Sequence, residues 1–106
     1  MDQSRFRAEQ LLTLSSAARR LADLIAAAEQ PIHYEVLRHL LRVSEETMVE
    51  VLDEAVHVNL VRRGDDPFTY ISFDERLGTE IREGMAPERL ARLRSQIRAA
   101  TERVFE

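Results

Sequence analysis

Cysteine, lysine and tryptophan are all missing from this chain of 106 residues. Without cysteine there are no disulfides, thiolate nucleophiles or thiolate metal sites. Without lysine there is no Schiff-base amine, no phosphate-loop lysine and no lysine general base. All fifteen basic residues are therefore arginines, set against nineteen carboxylates for a formal net charge of -4. Glycine and proline number three each, which leaves long uninterrupted stretches and favours helix. No apolar window reaches the length of about 18 residues that a membrane span needs. The N-terminal run MDQSRFRAEQLLTLSSAARR lacks the apolar core of a signal peptide, so the expected location is cytoplasmic. No repeat, low-complexity tract or glycine/serine linker divides the chain, and 1–106 is expected to form a single domain.

What is present is hydrophobic periodicity. Ala18, Leu21, Ala22, Ile25 and Ala28 recur near the 3.6-residue period behind Ser15, a good N-cap, and predict a helix over 16–28 that stops before Pro31. Val36, Leu37, Leu40 and Leu41 mark a shorter helix over 34–41. After a brief turn at Arg42 and Val43, Ser44 caps a third helix running to about His57. Two helices so spaced read as a helix-turn-helix. Leu60 to Arg63, then Gly64 to Pro67, then Phe68 to Phe73 read as strand, turn and strand, the second rich in β-formers. Such a hairpin would be the wing of a winged helix. Asp74 can cap a fourth helix ended by Gly84, and Pro87 can open a fifth reaching about Phe105. The expected fold class is mainly α with a small β-hairpin: a winged helix-turn-helix over about 15–73, then a helical extension over 74–106. Leu90, Leu93, Ile97, Ala100 and Val104 form a stripe on the last helix that must pack on this domain or on a partner.

The charge is unevenly placed. The segment 44–57 holds Glu45, Glu46, Glu50, Asp53 and Glu54 and no arginine, whereas 86–106 holds Arg89, Arg92, Arg94, Arg98 and Arg103 against three glutamates. On a helical wheel Met48, Val51, Leu52 and Ala55 face inward, and Glu46, Glu50, Asp53 and His57 share the opposite side. The helix that a DNA-binding winged helix inserts into the major groove is thus acidic, and phosphates would repel it. Asp65 and Asp66 at the wing tip add to the repulsion, while Arg62 and Arg63 at its base are the candidate phosphate contacts if DNA is bound. Charge runs are commonly just solvated faces. The sharper expectation is electrostatic docking onto protein, with Glu46, Glu50, Asp53 and His57 on one surface and Arg89, Arg92 and Arg98 on another. Glu50, Asp53 and His57 also share a face as potential oxygen and nitrogen ligands, but they lack the second histidine of a convincing zinc site, so no metal and no cofactor is expected. His33 is placed at a helix start, and His39 is expected to be a partly exposed helix residue. Neither a phosphate loop, a GxSxG elbow nor an HExxH pair occurs, and the expectation is a non-catalytic protein.

The run from LTLSSAARRL to ATERVF, with its LSSAARRL lead-in (Leu14 to Leu21), SEETMVEVLDEAVHVNLVRR, YISFDERLGTEIREGM and PERLARLRSQIRAATERVF, resembles the winged-helix domain of bacterial STAND ATPases. These signal-transducing NTPases include LuxR-type and other AAA-like multidomain regulators. The resemblance covers about nine tenths of the chain and implies a mobile regulatory arm that docks on a neighbouring nucleotide-binding domain. The family often has a nucleotide-sensing histidine after the second wing strand; this chain has Phe73 or Asp74 there, and neither offers a diphosphate a favourable contact. The expected partners are a protein or a neighbouring ATPase domain, with a homodimer through the C-terminal helix possible. The alternative is a small DNA-binding transcription regulator that contacts phosphates through arginines.

Overall fold

The computed structural model describes residues 15–105; Leu14 of the lead-in and the N-terminal stretch read for a targeting signal lie outside them. The described residues form α1 (Ser16–Ala27), β1 (Ile32–His33), α2 (Tyr34–Leu41), α3 (Glu45–His57), β2 (Val61–Arg63), β3 (Thr69–Ser72), α4 (Glu75–Glu83) and α5 (Pro87–Val104). This order is that of a winged helix-turn-helix with two further helices.

Short polar side chains set the helix starts. Ser15, Ser44 and Asp74 accept from the backbone N–H of Ala18 (3.2 Å), Thr47 (3.1 Å) and Leu77 (2.7 Å), satisfying donors that have no partner within the helix. His33 does the same for α2 through Nδ1, which accepts from the N–H of Glu35 at 3.1 Å, so its expected place at a helix start holds. Pro87 occupies the first turn of α5, where a missing N–H costs nothing. The first helix ends at Ala27 and not Ala28, where the backbone turns extended (ψ 141°); had the helix continued, the Pro31 ring would have met the carbonyl of Ala27.

One element was not foreseen. Residues 32 and 33 form a third strand that pairs with β3, Ile32 opposite Tyr70 and His33 opposite Thr69, giving the antiparallel order β1-β3-β2. Two residues are too few for an alternation to register, and their partners lie far along the chain. The wing between β2 and β3 is tied by Asp66: its carbonyl accepts from Thr69 N–H (3.0 Å) and Thr69 Oγ1 (2.8 Å), and its carboxylate from Phe68 N–H (2.9 Å). Asp66 therefore builds the turn.

At the centre of the core is α1, whose Ala18, Leu21, Ala22, Leu24, Ile25, Ala26 and Ala27 are all buried. Its alanines let α3, α4, α5 and β3 approach closely on several sides. Met48, Val51, Leu52 and Ala55 pack into this core from α3, as the wheel expected. The stripe on α5 is used within the domain, for Leu93, Ile97 and Val104 pack against the core and Ala100 is buried in it.

Candidate functional site

Because the buried face of α3 fixes the rotation of that helix, its outer face is fixed too. Glu46, Glu50, Asp53 and His57 are all exposed, and none is in an ion pair with another described residue. Two large apolar side chains flank them, Val49 at 49% and Val56 at 43% exposure. An acidic ridge edged by valines is chemistry for a protein surface that offers both cations and apolar contact. Glu54 has a different task. Its carboxylate accepts from Ser15 N–H and Ser15 Oγ, both at 3.0 Å, and so ties the start of α1 to α3.

The arginines divide into engaged and exposed. Arg89 meets Asp23 at 2.8 Å, which spends much of its charge inside the domain. Arg92 and Arg98 remain exposed on α5. Arg62 donates through Nε to the carbonyl of Phe73 at 3.0 Å and holds the end of β3, while Arg63 stands exposed at the wing base. The three arginines grouped on α5 as one docking surface thus do not act alike, since Arg89 is half-buried against α1. A helical wheel shows which residues share a face but not what the neighbouring helix brings to it.

Two functions of arginine were missed in the sequence. Arg82 of α4 donates through Nη1 to the carbonyl of Ala26 at 2.8 Å, and Arg94 of α5 donates through Nε to that of Ala27 at 3.0 Å. Both carbonyls belong to the last turn of α1, which has no basic residue of its own. Cations from two other helices therefore satisfy a helix C-terminus that is buried in the core.

The second missed feature is an open groove of about 710 Å³ between α1, α2 and α5. Arg20, His39, Arg42 and Arg103 line it, with Glu102 the one carboxylate among its lining residues. His39, expected as a partly exposed helix residue, is exposed. A further groove of about 720 Å³ runs between the 28–33 loop, the wing and α5. At this second groove His33 packs edge-on against Phe105, ring centres 5.1 Å apart. Its charges are mixed, Glu29, Asp66 and Glu102 against Arg94 and Arg98.

No protein-family profile, curated protein or solved structure matches this chain. The functional reading therefore stands on the geometry. Among the described residues no group of three His, Asp or Glu side chains is placed to hold a metal ion, and no helix is long and apolar enough to cross a membrane. Burial, then the Glu45 carboxylate, raise the Tyr34 phenol above its ordinary value of 10.0. Tyr34 lies at the first position of α2 and packs against the core.

Proposed function

We propose that this protein is a non-catalytic winged-helix interaction module that works by docking the outer face of α3 onto protein, in the manner of the regulatory arm of a STAND-type signalling ATPase. The observation that carries the reading is the composition of that face. Glu46, Glu50 and Asp53 stand exposed where a DNA-reading helix carries cations, with Val49 and Val56 beside them. Phosphates repel such a face, whereas a basic and apolar protein surface attracts it. The sequence resemblance to the STAND arm adds the expectation of a module seated on another protein.

The alternative, a DNA-binding regulator, draws on Arg62, Arg63 and the exposed arginines of α5. Arg62 is occupied by the Phe73 carbonyl, so Arg63 and the exposed Arg92, Arg98 and Arg103 of α5 are the phosphate contacts left to it among the sequence candidates. A gel-shift against random duplex at low salt separates the two. Docking through α3 predicts no shift, while phosphate contacts predict binding that fades as salt rises. A shift abolished by R63E and R98E and untouched by E50R and D53R would overturn the proposal.

A further inference from the structure

The groove between α1, α2 and α5 gathers Arg20, His39, Arg42 and Arg103 from three helices and the turn after α2 around about 710 Å³ of open space. Among the described residues no carboxylate comes within ion-pair distance of Arg20, Arg42 or Arg103. Leu40, Ala99 and Ala100 supply apolar wall beside these cations. A concave surface of this kind fits an anionic partner that also carries small apolar side chains.

The backbone supplies a second, independent observation. Arg42 sits in the turn of the helix-turn-helix with φ 55° and ψ 44°, the left-handed region that glycine adopts freely and a side chain resists. The other such residue among those described is Asn59, a residue type that tolerates this conformation. Nothing in the turn requires an arginine, and its N–H bond to the Arg38 carbonyl at 3.0 Å is one glycine would also make. A strained position filled by a long cation that lines a groove points to a task for the cation.

We infer that the groove receives α3 of a second copy of this chain. The inference rests on the proposed docking role of α3 and names its partner. Charge complementarity decides the occupant. Glu46, Glu50 and Asp53 lie one and two turns apart on one ridge, and Arg20, Arg42 and Arg103 offer a matching set of cations across the groove. Val49 and Val56 on the ridge find Leu40 and Ala99 in the wall. Groove and ridge adjoin at the turn, with Arg42 four residues before Glu46 in the chain, so a two-fold pair in which each ridge enters the other's groove is the compact closed form. Both surfaces belong to the one chain, so no foreign partner is needed to satisfy either.

Sedimentation velocity of the full chain over a concentration series, at low and high salt, tests this. Association that grows with concentration at low salt and weakens at least tenfold at high salt is expected, because the contacts are exposed ion pairs. R42G is the discriminating variant: glycine suits the turn, so the fold is kept or stabilised while association weakens. The pair E50R/D53R and the pair R20E/R103E should each be monomeric alone and associate when mixed. A wild-type chain that stays monomeric at low salt at the highest soluble concentration, or association indifferent to these changes, overturns the inference. So does capture of duplex DNA in the groove, read as a gel-shift lost in R42G, and that outcome refutes the docking function as well. Monomers that leave DNA unshifted refute the self-pairing alone.

Discussion

Replacing Arg82 with methionine should cost about 2 kcal/mol. The guanidinium donates through Nη1 to the Ala26 carbonyl at 2.8 Å and through Nη2 to Thr79 Oγ1 at 3.1 Å. Ala26 is fully buried, so water has poor access to that carbonyl once its donor is gone. A hydrogen bond from a charged donor is worth about 1.5–3 kcal/mol net, and methionine keeps most of the aliphatic packing of the arginine stem. In a domain of this size about 2 kcal/mol lowers Tm by roughly 8–16 °C. Urea unfolding followed by circular dichroism measures it, provided the m-value is unchanged. Arg76 is the control: its side chain is 71% exposed, so R76M should change stability by less than about 0.5 kcal/mol. An R82M loss no larger than that of R76M would refute the claim that the end of α1 depends on cations lent by other helices.

Three other perturbations probe the fold. A Cβ at Gly64 would lie 2.6 Å from Thr69 Oγ1, so G64A should destabilise by about 1–3 kcal/mol, while the same change in a T69A background should cost markedly less. A double-mutant cycle with no coupling would show that Thr69 is not the obstacle. Met48 is completely buried between α3 and the core, and M48A should cost about 2–5 kcal/mol, with hydrogen exchange accelerated along α3. For Tyr34, burial and Glu45 raise the phenol above 10.0, so the folded state holds that proton longer than the unfolded chain. Stability from this source is present below the unfolded value and is lost as pH rises through the folded one; Y34F should flatten the fall in stability above about pH 10, and equal slopes for both proteins would refute it.

The features legible in the sequence are those set by near neighbours. Ser15, Ser44 and Asp74 announce helix starts because a cap needs only the next three residues. The inward face of α3 follows from the spacing of Met48, Val51, Leu52 and Ala55, and the exposed acids follow from it in turn. The features that were not legible all involve distant partners. Strand β1 is two residues long and exists only because β3 pairs with it. Arg82 and Arg94 look like surface charges on their own helices until α1 ends beside them. Arg89 reads as a docking residue until Asp23 is found at 2.8 Å.

The sequence by itself determined the order of the five helices and the two wing strands, the inner face of α3, and the acidic ridge of Glu46, Glu50 and Asp53, because capping, periodicity and local charge act over one or two helical turns. It also determined that every cation is an arginine. Which of those arginines would be spent inside the domain, and which would converge on a groove, was decided only by tertiary packing. Helix-helix contact brings side chains together across dozens of residues, and a guanidinium is long enough to reach whichever carbonyl or carboxylate that packing delivers.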